Sequence, residues 1–231
     1  MGKYDAWKRQ VLEVSKRLSE RGYFGTHSGS AGNVSALVDG EEAVVVTPST
    51  LPYDDMQLDD LCVVDFDLGR IEGHRDPSIE TPMHIACYRN RRDVSAVIHT
   101  HQINASVLAV LNKPIPALFD EVVISIGPTV EVAAYGLSGS EELLSNVVAR
   151  LSNRCHCYLL QNHGALAVGP NLEKTFTYVE LLEKVATIYV QALATGQPIT
   201  TLPEPLTDAL FGIVTGKQDM EIARKDGLRG A

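Results

Sequence analysis

The stretch Ala96-Val97-Ile98-His99-Thr100-His101 decides how this chain is to be read. Its β-branched residues and its short apolar run predict a strand. Alternation along a strand puts His99 and His101 on one face, with Cα atoms about 6.5 Å apart. Two imidazoles on one face can converge on a single ion at about 2.0–2.1 Å each. A lone His-x-His pair is a weak signal, so its neighbours matter. Tyr158-Leu159-Leu160 and Ala165-Leu166-Ala167-Val168 predict two further strands around the turn Gln161-Asn162-His163-Gly164, which supplies a third imidazole. Three neutral imidazoles with an open fourth position are the layout of a catalytic zinc site. Upstream, Glu80 to Arg89 predicts a helix with Pro82 tolerated in its first turn. Glu80 places a carboxylate at its start, and His84, four residues on, shares its face.

Outward from this centre the chain alternates short elements. Trp7, Val11, Val14 and Leu18 make one helical face, which Gly22 ends. A Gly/Ser-rich loop, residues 25–33, contains His27 and no Walker lysine, which argues against a nucleotide site. Val44 to Thr47 and Val63 to Asp65 predict strands, with Asp67-Leu68-Gly69 as a hairpin turn before Ile71. Helices are predicted over 105–111 and 140–151, the second with Ser138 and Glu141 at capping-box spacing. The strongest helix runs from Leu172 to Ala194, with Asn171 as N-cap and Gly196-Gln197-Pro198 as its stop. The expected organisation is one α/β domain over residues 1–200. Beyond Thr200 a polar, irregular, partly mobile C-terminal tail is expected over 201–231.

Composition narrows the function classes. With 231 residues, 45% of them hydrophobic, the chain can bury a sizeable core. The net charge of −9 and the lack of a Lys/Arg cluster argue against a nucleic-acid partner. No apolar run approaches the roughly 20 residues a membrane helix needs. The first residues lack the apolar stretch of an export signal, so a cytoplasmic protein with reduced thiols at Cys62, Cys87, Cys155 and Cys157 is expected. Cys155-His156-Cys157 looks like a soft-metal site, but strand alternation predicts buried thiols and a solvent-facing His156.

Several motifs occur together: Ser30-Ala31-Gly32-Asn33-Val34-Ser35, Thr47-Pro48-Ser49-Thr50, Pro77-Ser78-Ile79-Glu80-Thr81-Pro82-Met83-His84, Val97-Ile98-His99-Thr100-His101 and Asn162-His163-Gly164. In order and spacing they resemble the class II aldolase/epimerase family, in its fuculose-phosphate aldolase-like branch, over roughly residues 5 to 195. The resemblance implies a mixed, mainly antiparallel central sheet with helices on both sides. It also implies a homotetramer with active sites at subunit interfaces. It implies His99, His101 and His163 as ligands of a divalent metal, Zn²⁺ first and Mn²⁺ or Co²⁺ next, with Glu80 as fourth ligand and acid/base. Gly32, Asn33, Ser49, Thr50 and Ser78 correspond to the family's substrate-phosphate positions. Two departures stand out: Thr50 where the aldolases usually have Gly, and Ile79 where many have a second Ser. The family's proton-donating Tyr is missing from Leu118-Phe119-Asp120-Glu121, which leaves Asp120 or Glu121 as the candidate.

The implied reaction cleaves a short ketose 1-phosphate to dihydroxyacetone phosphate and an aldehyde, a divalent cation stabilising the charge that develops. Fuculose, ribulose, 5-deoxypentulose and methylthioribulose phosphates are candidate substrates. The alternatives on the same scaffold are a metal-dependent decarboxylase of a keto or aromatic acid and a pentulose-phosphate 4-epimerase. The epimerase branch typically has Asp at the Glu80 position. Adducin-type assembly modules share the fold, but an open metal site has no use in one.

Overall fold

In the computed structural model, which describes residues 2–25 and 31–229, the strand carrying the first histidine lies in the middle of one eight-stranded sheet. The strands are β1 (Asn33–Leu37), β2 (Ala43–Val46), β3 (Cys62–Asp65), β4 (Arg70–Glu72), β5 (Ala96–Thr100), β6 (Glu131–Ala133), β7 (Cys157–Leu160) and β8 (Gly164–Gly169). Their order is β4-β3-β2-β1-β5-β8-β7-β6. Every pairing is antiparallel except β6 with β7, so the sheet is mixed and mainly antiparallel, as expected. Leu68, at φ 67, turns the β3–β4 hairpin where the sequence placed it. The loop residues 26–30, including His27, lie outside the described residues.

Both faces of the sheet are covered. Val34, Ala36, Ile98, Ala165 and Ala167 point to α1 (Asp5–Glu20), α3 (Ile103–Val110) and α6 (Leu172–Ala194). Their alternates Val97, Tyr158, Leu166 and Val168 point to α2 (Thr81–Asn90) and α5 (Glu141–Leu151). Burial on both sides explains why the central strands read as continuous apolar runs. The stripe Val11, Val14 and Leu18 is buried in α1, with Trp7 packed at its edge. Asn171 caps α6, its side chain accepting from Lys174 N at 2.9 Å. The α5 cap differs from expectation: Ser140, not Ser138, accepts from Leu143 N. Ser138 is thereby free for another partner. A short helix α4 (Asp120–Val123) precedes β6.

Beyond Thr200 the expected irregular chain is replaced by a helix, α7 (Glu204–Arg229). Gly212, Gly216 and Gly227 weaken its local signal, and its order comes from docking. Phe211 packs on the α2/α5 core and Val214 is buried. Gln218 Nε2 donates to the Arg154 carbonyl at 2.9 Å and to His156 Nε2 at 3.1 Å. Lys225 Nζ donates to the Arg92 and Val94 carbonyls. This helix also corrects the expectation for His156, which does not face solvent. It is buried, stacks on Tyr178, and donates from Nδ1 to the Val168 carbonyl at 2.9 Å. The thiols of Cys155 and Cys157 are buried, as expected.

Burial pushes the His156 imidazole down to about 4, so the folded chain holds it neutral. The unfolded chain protonates it near its ordinary value of about 6.5. As pH falls below that value the unfolded state binds the extra proton, so stability falls between about pH 6.5 and 4. Urea denaturation at pH 7.0 and 5.0 is expected to show this loss, and His156→Gln to reduce it. An unchanged pH difference in that variant would remove His156 as the cause.

Candidate metal centre

The sheet order brings the three histidines together. His99 sits at the end of β5, opposite Asn33 of β1 and Leu166 of β8. His101 follows two residues later, its backbone N–H donating to the Tyr23 carbonyl at 2.7 Å. His163 lies in the turn joining β7 to β8, and β8 is the neighbour of β5. The turn can close on the other two rings because residue 164 is glycine. A Cβ there would stand 2.4 Å from the Thr100 carbonyl oxygen and 2.9 Å from His101 Cδ2. On the other side Gly32, at φ 76, leaves room for the His99 carbonyl, which a Cβ would meet at 2.6 Å.

Each imidazole offers one ring nitrogen, and the three lie within 4.8 Å of one another. His99 Nε2 and His101 Nε2 are 2.9 Å apart. His99 Nδ1 donates to the Ala165 carbonyl at 2.9 Å, which leaves Nε2 as the bare lone pair facing the cluster. Burial, with neighbouring imidazole charge, pushes His99 and His101 each down to about 3. Both are therefore neutral and able to ligate at neutral pH.

Glu80, the N-cap residue of α2, enters from the α2 face. Its Oε2 is 3.3 Å from His99 Nε2, and its Oε1 is 3.4 Å from His163 Nε2. Asn33 Nδ2 donates to Oε2 at 2.8 Å. Oε1 is buried and has no hydrogen-bond partner. A buried carboxylate oxygen without a partner is costly unless a cation meets it. Three convergent nitrogen donors and that orphaned oxygen match a tetrahedral divalent metal, whose nitrogen ligands stand about 3.4 Å apart. His99, His101, His163 and Glu80 thus fit such an ion.

The segments 47–50 and 76–78 are tied together by backbone contacts. Pro48 bridges Pro77, Ser49 N donates to the Asp76 carbonyl, and Ser78 N donates to the Thr47 carbonyl. Tyr53 hydroxyl donates to the Gly32 carbonyl at 2.7 Å, and Glu80 N to Ser78 Oγ at 3.3 Å. Ser78 therefore touches Glu80, and the segment with Ser49 and Thr50 is linked to it through Asp76 and Thr47. Thr50 keeps the left-handed backbone, φ 59, that favours the glycine it replaces. The Asn33 amide is engaged by Glu80.

Asp120 is not brought to the cluster. It is exposed in the first turn of α4, and its carboxylate accepts from Glu121 N. Glu121 pairs with Lys184 of α6. Among the described residues no hydrogen bond or ion pair joins either acid to the histidines or Glu80. Two functional placements were missed. Asn33 holds Glu80, a contact that no sequence spacing encodes. Ser138, read as half of a capping box, has its hydroxyl 3.3 Å from His163 Nε2. His84 is fully buried, with Nδ1 2.7 Å from Ser35 Oγ; its backbone N–H donates to the Glu80 carbonyl at 3.3 Å, but its ring makes no hydrogen bond to the Glu80 carboxylate.

Comparison with known proteins adds the following. The family model described as Class II Aldolase and Adducin N-terminal domain matches residues 9–190. The L-fuculose phosphate aldolase of Escherichia coli O6:H1 is 32% identical over 85% of this chain and 88% of its own length. The 5-deoxy-D-ribulose 1-phosphate aldolase of Bacillus thuringiensis serovar kurstaki is 34% identical over 85% of this chain and 90% of its own. A solved L-fuculose 1-phosphate aldolase superimposes with a TM-score of 0.83 at 32% identity, covering 90% of this chain and 95% of that one.

His99→Ala, His101→Ala and His163→Ala are each expected to lose most bound metal, measured by elemental analysis of the purified variants. The exposed His74→Ala serves as control. Full metal content in two of the three would remove the assignment.

Proposed function

This chain belongs to the family of class II aldolases and adducin N-terminal domains, and on that premise we propose that it is a metal-dependent aldolase. It cleaves a short ketose 1-phosphate into dihydroxyacetone phosphate and an aldehyde. The observation that carries the proposal is the placement of Glu80. Its buried, half-unpaired carboxylate lies within 3.4 Å of two of the three convergent imidazoles. Relatives that carry fuculose phosphate or deoxyribulose phosphate in their names support a sugar-phosphate substrate.

His99, His101 and His163 hold the metal, with Glu80 as a fourth donor in the resting state. The bound cation supplies Lewis acidity for the charge that develops on the substrate's oxygens as the carbon–carbon bond breaks. Glu80 moves the proton at carbon. In the synthetic direction it takes one from the carbon beside the ketone, and in cleavage it returns it. The glutamate side chain is one methylene longer than aspartate, which gives it the reach to move that proton. Gly32, Asn33, Ser49, Thr50 and Ser78 line the phosphate end. Backbone N–H groups and hydroxyls can hold a phosphate there without a lysine.

Zn²⁺ suits three imidazoles and a carboxylate, and Mn²⁺ or Co²⁺ also fits that set. The assembly is proposed to be a homotetramer with active sites between chains. In support, α3, directly after His101, exposes one stripe of Ile103, Val107, Val110 and Leu111, and Ile79, Tyr135 and Leu137 are exposed near Glu80 and Ser138. Contiguous apolar surface of this kind marks contact sites. Asp120, exposed in α4, is the candidate to act on the leaving oxygen, from a neighbouring chain. The four buried, unpaired cysteines support a reducing compartment, the cytoplasm.

A panel of ketose 1-phosphates, with coupled detection of dihydroxyacetone phosphate and each of the three metals, is expected to give at least one substrate. Glu80→Gln should keep its fold and lower turnover by roughly 10²-fold or more, as for a lost general acid/base. Light scattering on the same preparation should give the mass of four chains. A panel without turnover under any metal, or Glu80→Gln within about threefold of the parent, would overturn the proposal.

A further inference from the structure

Helix α2 lies on strand β1 through a buried polar stripe. Glu80, His84 and Tyr88 are four residues apart on the helix, and Asn33 and Ser35 are two apart on one face of the strand. Four residues of helix rise about 6 Å and two residues of strand about 6.7 Å, so the two stripes keep step. The first rung is Asn33 Nδ2 to Glu80 Oε2 at 2.8 Å. The second is Ser35 Oγ to His84 Nδ1 at 2.7 Å, and Tyr88 hydroxyl joins it, also 2.7 Å from Ser35 Oγ. Asn33, Ser35, Glu80, His84 and Tyr88 are all buried.

Most other side-chain contacts of α2 are apolar; Arg89, exposed at its far end, donates to the Phe66 carbonyl and pairs with Asp67. Met83, Ile85 and Cys87 pack in the α2/α5 core, and such contacts have no preferred direction. A helix held only by them could slide or roll. A buried imidazole is a poor choice for filling space, since His84 Nε2 has no hydrogen-bond partner and burial holds the ring neutral, down to about 3. A buried polar group earns its place through direction, by specifying one register among several. The register in question matters because Asn33 stands directly opposite His99 across the β1–β5 pair. Whatever fixes α2 on β1 fixes Glu80 over the histidines.

We infer that His84 and Ser35 are positioning residues, forming a second rung that locks the register of α2 on β1 and so aims the Glu80 carboxylate at the reacting carbon. This rests on Glu80 acting as the acid/base. Among the described residues the rung makes no hydrogen bond to the rings of His99, His101 or His163, which come from β5, the residue just after it and the β7–β8 turn. Its loss therefore acts through Glu80, on proton transfer, and leaves the three imidazole ligands in place.

The test compares Ser35→Ala, His84→Leu and His84→Asn in the parent and in Glu80→Gln, with metal content and melting temperature measured throughout. Ser35→Ala and His84→Leu are expected to lower kcat between about tenfold and a hundredfold, the range for a misaimed catalytic group. Bound metal should stay stoichiometric and KM should change little. His84→Asn keeps a polar atom where Nδ1 stands and should recover most of the loss. In the Glu80→Gln background Ser35→Ala should lower kcat less than about twofold, because a residue acting through Glu80 has nothing left to aim. A purely structural role gives the same loss in both backgrounds, and that additive result would overturn the inference while leaving Glu80 as the base. Unchanged kcat in both Ser35→Ala and His84→Leu would overturn it as well. Parent-level activity in Glu80→Gln would overturn both the inference and the acid/base role on which it rests.

Discussion

A buried carboxylate set against a cluster of imidazoles is the constraint around which this molecule is arranged. Among the described residues the ion-pair partners of Glu80 are imidazoles, His99 and His163, and burial keeps His99 neutral. Asn33 satisfies one oxygen, and the other is left without a hydrogen bond. A carboxylate removed from water needs a positive charge or several donors. Three bare imidazole nitrogens facing the same point show where that charge belongs. The same electrostatics that would make the empty site costly make it bind a divalent cation and respond to charge developing on a substrate.

The fold holds these groups from separate directions. His99 comes from the central strand, His101 from the residue just past its end, His163 from the turn of the neighbouring hairpin, and Glu80 from the start of a helix on one face. Both sheet faces are packed, so the histidine-bearing backbone is held by the core on each side. Two glycines, Gly32 and Gly164, let backbone segments approach closer than any side chain would permit. A rigid sheet with the carboxylate on a separately docked element also permits Glu80 to move without disturbing the imidazoles.

Much of this was legible in the sequence, and the parts that were not share a cause. Strands β5, β7 and β8, helices α2, α5 and α6 and the β3–β4 hairpin follow from local periodicity, caps and turn residues. His-x-His on a strand and His-Gly in a turn only suggest the histidine trio; the resemblance to the aldolase family is what implies it as a ligand set. What local pattern could not show were contacts made across the fold. His156 alternates as a solvent-facing residue, yet α7 covers it. That helix is polar and glycine-containing, so its stability lies in docking rather than in propensity. Ser138 had a plausible local role as a cap, but the adjacent Ser140 takes it. Asn33 and Ser35 read as parts of a motif, and only the packing of α2 on β1 shows which side chains they hold.

Hydrogen exchange at carbon isolates the central claim from every uncertainty about the aldehyde half of the substrate. Enzyme loaded with Zn²⁺, Mn²⁺ or Co²⁺ would be incubated with dihydroxyacetone phosphate alone in D₂O and followed by proton NMR. If Glu80 works as the base beside a metal held by His99, His101 and His163, one carbon-bound hydrogen exchanges stereospecifically. The exchange stops when the metal is chelated and in Glu80→Gln. No exchange under any of the three metals, or exchange that continues in Glu80→Gln, would contradict the account.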